Sequence, residues 1–259
     1  MARGWRMGAG LSLLLFFTVA AAQPWRQSDY IAQAFLTIAL GREYQQASDY
    51  LVKWQQPVRV FIRHQVKYVV LHDTLVAAQL SHLASITGLT IHQVASIDEA
   101  NVVITFTEQA QWQSLVADEL GADSAAHLHG SVCLANIVEH GGHIEFARVY
   151  IPVDLARFHG KLVACVVEEL TQILGLPNDS DRVFPSIFND KSPEVLLTGL
   201  DYLLLKLLYQ PVLIAGSQYQ ALQAPLATIL WQWQQDGTIA SASQTVRQGT
   251  LYRLLGYSP

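Results

Sequence analysis

Residues Asn101 to Phe106 read N-V-V-I-T-F, a near-continuous run of β-branched and aromatic side chains. Such a run has no polar face to turn toward water, so it suits a central strand of a sheet covered on both sides. Elements that can flank it lie before and after. Val58-Arg59-Val60-Phe61-Ile62 alternates as a strand should, directly after Pro57. Between these two strands, Thr74 to Ile86 repeats apolar residues three and four apart and is closed by Gly88, which predicts a helix. Gln109 to Leu120 reads as helical. Ser131 to Val138 and Ile144 to Ile151 read as a strand pair, with Gly141-Gly142 supplying a turn that needs positive φ. A helix follows from about Gly160 to Leu174, stopped by Gly175 and Pro177, then a polar loop from Asn178 to Lys191 and a helix from Pro193 to Tyr209. One strand–helix–strand unit and one hairpin sharing a sheet give an α+β fold with a mixed sheet.

Helices flank this unit on both sides. Tyr30 to Leu40 has helical spacing and ends at Gly41, and Arg42 to Trp54 reads as a second helix. At the other end, Ser217 is placed to cap a long helix ending near Gly237, with weaker signals to Pro259. The implied layout is an N-terminal helical segment over 23–56, a sheet-containing domain over 57–211 and a C-terminal helical extension over 212–259.

The first 22 residues carry Arg3 and Arg6, the apolar core Leu11 to Val19, and then Ala20-Ala21-Ala22. This three-part pattern is that of a secretory signal peptide and is too short to span a bilayer. It predicts an exported protein, periplasmic or secreted, from a Gram-negative-type bacterium. Losing the two arginines moves the formal charge from −5 to −7. A mildly acidic chain without a basic run excludes the usual nucleic-acid binders. No transmembrane segment is expected after the signal is removed. Cys133 and Cys165 are the two cysteines. In an oxidising compartment such a pair favours a disulfide, the alternative being a thiol at a functional site.

The stretch most informative about function is Glu168 to Asp179, E-E-L-T-Q-I-L-G-L-P-N-D. It resembles the zinc helix of matrixin and metzincin peptidases, H-E-x-x-H-x-x-G-x-x-H. There two histidines four apart bind zinc, the Glu between them is the general base, and a Gly turns the chain so that a third histidine reaches the metal. Laid on this pattern, Glu168 takes the first histidine position and Glu169 the general-base position. Gln172 takes the second histidine position, Gly175 matches the turning glycine, and Asn178, followed by Asp179, stands at the third. Ser186-Ile187-Phe188 resembles the Met-turn, and Leu197 to Tyr209 resembles the matrixin closing helix. The resemblance covers Pro57 to Tyr209 and implies a zincin-like fold. The chain is also similar to an exported bacterial family of unknown function that shares the C-x-x-E-E-L-T-Q-x-L-G-L-P-N-D block beginning at Cys165.

All three histidine positions differ from the zinc pattern. Gln and Asn offer only carbonyl oxygens, which argues against zinc, while carboxylates and amides suit a hard cation such as calcium. Without zinc the metal-activated water of a peptidase is lost. Ordinary zinc peptidase activity is therefore not expected, and whether the chain is an enzyme stays open. Three readings follow. The first is a pseudopeptidase holding a peptide or protein in the former substrate cleft, along an edge strand at Ser131 to Val138 or its hairpin partner. The second is a hydrolase with Glu169 as general base and Glu168 and Gln172 orienting substrate or a cation. The third is a structural envelope factor.

Each residue has a plainer alternative. Glu168 and Glu169 could hydrogen-bond the following loop, and Gln172 could be a buried amide. Asn178 and Asp179 could form a turn at the helix end. His127, His129, His140 and His143 could gather metal near the hairpin or simply be exposed. Phe188 is expected in the core, Asp201 as a brace of the closing helix, and Trp231 and Trp233 in packing.

Overall fold

The β-branched runs build one five-stranded sheet. The computed structural model describes Met1, residues 23–40 and residues 50–257. The strands are β1 (Val58–His64), β2 (Ile91–Gln93), β3 (Val102–Thr107), β4 (Leu134–His140) and β5 (His143–Pro152). Their order across the sheet is β2-β1-β3-β5-β4. All neighbours run parallel except β4, which pairs antiparallel with β5 and forms one edge, β2 forming the other. The N-V-V-I-T-F run is central as expected: Ile104 pairs with Ile62 on one side and Val149 on the other. Every residue of β3 is buried.

Helices cover both faces. They are α1 (Ser28–Leu40), α2 (Val69–Thr87), α3 (Gln109–Leu120), α4 (Ala122–Ala126), α5 (Val153–Phe158), α6 (Leu162–Gln172), α7 (Gly199–Leu208), α8 (Tyr219–Gln235), α9 (Thr238–Val246) and α10 (Thr250–Leu254). Val60, Ile104, Phe106, Val149 and Ile151 point from the sheet into the main core, which they share with residues of α2, α6 and α7. The opposite face carries a smaller cluster in which Trp112, Val116 and Leu128 cover Tyr150. The period-two alternation of each strand thus feeds two separate apolar layers. The main core runs without a break from Trp25 to Leu251, so α1 and α8 to α10 share it with the sheet domain.

The boundaries correct several expectations. α2 begins at Val69, five residues before the expected start. It is long and apolar enough to cross a membrane by length and composition, yet nearly half of it is buried in the core. The expected helix over Arg42 to Trp54 falls largely on residues outside those described, but 50–54 is extended. Lys53 bridges His143, and Tyr50 bridges Gln218. The segment Pro193 to Leu197 is not helical. α7 starts later because Thr198 and Asp201 form a reciprocal cap at Gly199. Gln218, not Ser217, stands at the start of α8. Trp233 packs in the core, whereas Trp231 is exposed. Apart from Met1, the signal-peptide segment lies outside the described residues.

The extended segment 50–54 ties remote parts together. The Leu51 amide donates to Ser217 O (2.9 Å) and the Lys53 amide to Gly142 O (3.0 Å), while the Trp54 indole donates to Ile173 O (2.8 Å). This threading explains Gly142, whose φ is +85°. A Cβ there would sit 2.1 Å from the Gly216 nitrogen. The Lys53 ammonium is buried and donates to the carbonyls of Leu208, Gln210 and Leu213 at the end of α7. A cation at a helix C-terminus satisfies orphan carbonyls and opposes the negative end of the dipole. Burial pulls its pKa below the ordinary lysine value.

Candidate functional site

α6 forms where it does because apolar Val163, Val166, Val167 and Leu170 recur at helical spacing, leaving Ala164, Glu168 and Gln172 along another stripe. That stripe borders a cleft of about 550 Å³. Its other wall is β4, represented by Leu134 to Ile137, with the segment from Asp123 to Val132 closing one side. Cys133 and Cys165 form a disulfide with Cα atoms 5.9 Å apart, so the strand and the helix are covalently joined across the cleft. The structure thus bears out the expected cysteine pairing, and β4 is the edge strand, whereas its hairpin partner β5 is interior.

The expected site residues divide. Glu168, Glu169, Gln172 and Asp179 all line the cleft. Glu169 is only 5% exposed and Glu168 is half-buried. Gln172, the last residue of α6, donates its amide to both carboxylate oxygens of Asp179 at 3.1 Å. Holding Asp179 is therefore one defined task of that amide. Asn178 is elsewhere. Its side chain donates to Thr37 O (2.9 Å) and its backbone amide to Ile38 O (3.3 Å). These carbonyls belong to the last turn of α1, which the helix itself cannot satisfy. The residue at the third zinc-ligand position thus faces α1 and not the cleft.

Two features set the turn after α6. Gly175 has φ +113°, and a Cβ on it would lie 2.1 Å from Val52 O. Only glycine permits both the dihedral and the approach. The carbonyls of Ile173 and Leu174 accept from the Trp54 indole (2.8 Å) and the Tyr209 hydroxyl (2.7 Å). Burial raises the Tyr209 pKa far above the ordinary tyrosine value.

The loop that brings Asp179 and Asp190 to the cleft is braced by Asp201, which is wholly buried. Its carboxylate accepts from Ser186 Oγ (2.5 Å), the Thr198 amide (2.7 Å) and the Ile187 amide (3.2 Å). Burial pushes its pKa up to about 6, against the opposing pull of the bonds from Ser186, Thr198 and Ile187. Asp201 therefore braces the loop as well as the helix. Phe188 is fully buried, as expected.

Zinc does not fit this donor set. The three positions hold a carboxylate, an amide already engaged with Asp179, and an amide turned to another helix. Among the described residues no group of three or more His, Cys, Asp or Glu is disposed to hold a metal ion. The histidines do not gather either. His127 and His129 line the cleft, while His140 and His143 face each other at the far end of β4.

Sequence reasoning missed Lys161, Asp123, Asp190, Asn136 and the cleft position of His127 and His129. None of these lies in the α6 block. The return of β4 alongside α6 brings Asp123, His127, His129 and Asn136 there, Asp190 arrives on the braced loop, and Lys161 stands at the start of α6.

No curated protein matches the chain. The family described as a protein of unknown function (DUF2927) matches residues 28–228, which takes in the sheet, the disulfide, α6 and the braced loop. By that match over most of its length, the chain belongs to the DUF2927 family.

Proposed function

We propose that this is an exported, zincin-like pseudopeptidase that holds an extended peptide or unfolded protein segment in the cleft between α6 and β4. One observation carries this reading. The strand bordering the cleft is an edge strand of the sheet, and it lies across from the helix bearing Glu168, Glu169 and Gln172. An edge strand presents unpaired backbone groups to which an extended chain can add. The cleft volume lies within the range of small-ligand sites, enough for a few side chains of such a peptide. The departures from the zinc-ligand pattern favour retention over cleavage.

The test is binding of a random peptide library to the purified protein and to Ala164→Trp, which fills the cleft from its α6 wall. Peptides retained by the parent and released by the variant support the reading. Equal retention by both would place binding elsewhere and refute it.

Glu169 favours a second reading, a hydrolase with this carboxylate as general base, because it is nearly buried yet lines the cleft. Cleavage of library peptides that disappears in Glu169→Gln would establish the hydrolase in place of the binder.

A further inference from the structure

The face that α2 turns inward is not wholly apolar. It buries His72, Gln79 and His82, which are 0%, 1% and 5% exposed. His72 lies in a stack of three rings near its start. Its ring is 4.3 Å from that of Phe106 in β3 and 5.8 Å from that of His64 in β1, all nearly parallel. Among the described residues neither ring nitrogen of His72 has a hydrogen-bond partner. A proton added there would bring a charge into the core with nothing to accept from it. His82 lies one element further along, against the start of α10. A Cβ on Gly249 would stand 2.4 Å from its ring, so the imidazole rests directly on that backbone.

The charged groups around the two rings do not rescue a protonated state. Burial holds the His72 pKa down to about 4. His64 and the Arg157 guanidinium of α5 push the same way, against the opposing pull of Asp73. Asp73 is itself paired with His64 Nε2 at 2.8 Å. At His82, where α6, α7 and α10 pack on the helix, burial alone lowers the pKa to about 4. Between the two histidines, the Gln79 amide donates to Val167 O (3.4 Å) and Thr171 Oγ1 (3.3 Å) of α6. α2 therefore supports the helix that walls the cleft from behind. The chain enters α2 through Tyr68, whose φ of +69° is the sole positive value at a described non-glycine residue. Strain of that kind is relieved when the helix start lets go.

We propose that α2 is an acid-released helix: protonation of His72 and His82 detaches it from the sheet and from α6, leaving the cleft's helical wall without support behind it. The device does not depend on what the cleft binds. A histidine that is neutral in place and protonated once freed favours the open form as pH falls from the unfolded value of about 6.5 through the folded one. Each of the two should raise the opening constant about thirtyfold between pH 7.5 and 5, and both together about a thousandfold. Asp201 acts in the opposite sense, because its pKa is raised, so a whole-protein melt would mix the two.

The test reads α2 by itself, through hydrogen exchange of the full chain at pH 7.5 and 5, corrected for the chemical exchange rate. Protection of α2 amides should fall by between thirtyfold and a thousandfold, and that of α6 should fall with it. α3, which has no histidine and covers the other face of the sheet, should change far less. Phenylalanine can take the place of His72 in the stack without losing a hydrogen bond. His72→Phe should therefore match the parent at pH 7.5 and lose about thirtyfold less protection at pH 5. His72→Phe with His82→Met should flatten the response. The proposal is overturned if α2 protection changes less than about threefold in the parent, or if α3 loses as much as α2. It is likewise overturned if α6 keeps its protection while α2 loses it, or if the double variant, equal to the parent at pH 7.5, responds to acid as the parent does.

Discussion

Replacing both cysteines, as Cys133→Ala/Cys165→Ala, gives the most calculable perturbation of this fold. The bridge spans a sequence separation of 32 and encloses β4, β5, α5 and the first turn of α6. On the chain-entropy relation, a loop of that size lowers the entropy of the unfolded chain by about 12 cal/mol/K, or about 3.7 kcal/mol at 25 °C. Cys165 is buried, so alanine also loses packing worth about 1 kcal/mol. The expected total is roughly 4–5 kcal/mol, which for a domain of this size lowers Tm by roughly 10–15 °C. The assay is urea unfolding of parent, reduced parent and double variant, followed by tryptophan fluorescence. Reduced parent and variant should agree to within the packing contribution. A second readout separates loop closure from local effects: limited proteolysis should now cut between His127 and Val132, next to the freed strand. A stability change below about 1 kcal/mol would refute the reasoning, because the unfolded chain would then be held together by something other than the bridge.

Three further outcomes follow from the buried polar groups and the turn. Asp201 has a folded pKa of about 6 against about 3.9 unfolded, so its contribution to stability is complete below about pH 4 and is lost as pH rises through 6. Two pKa units correspond to about 3 kcal/mol, and Asp201→Asn should remove that slope in urea melts at pH 4.5 and 7 while keeping the loop contacts; an unchanged slope would mean the carboxylate stays ionised. Lys53→Met strands the carbonyls of Leu208, Gln210 and Leu213 and should cost about 2–4 kcal/mol in the same assay. Gly175→Ala forces both a positive φ and a clash with Val52 O and should cost at least about 3 kcal/mol by thermal melting; a loss under about 1 kcal/mol would show that the turn can relax.

Sequence alone reached the elements whose signals are local. α3 has the bounds expected of it, and Gly141 and Gly142 both take the positive φ that the hairpin demands. The central strand followed from its β-branched run, and the bridge from two cysteines in a chain expected to be exported. What was missed depends on partners distant in sequence. Three-residue β2 is held only by β1, and α4 and α5 are too short to show a period. The late start of α7 was legible in principle, since Thr198-Gly199-Leu200-Asp201 is a capping box, but an unbroken reading from Pro193 overrode it. The orientation of Asn178 was not legible. Whether an amide after a helix turns back to its own helix or across to another depends on where α1 ends in space.

The threading of 50–54 also decides where this protein can be altered by insertion. Tags and fused domains are usually placed at hairpin tips, which commonly stand free in solvent. The tip at Gly141-Gly142 does not, because Lys53 bonds Gly142 and Gly216 packs against its Cα. An inserted sequence there would have to displace two other segments of chain. Gly121 and Gly130 lie in exposed turns, and a Cβ on either would meet nothing within 4 Å, so they offer room for a reporter. Gly130 lines the cleft and Gly121 lies between two residues that do, Leu120 and Asp123, so a label at either would also report on the space between α6 and β4.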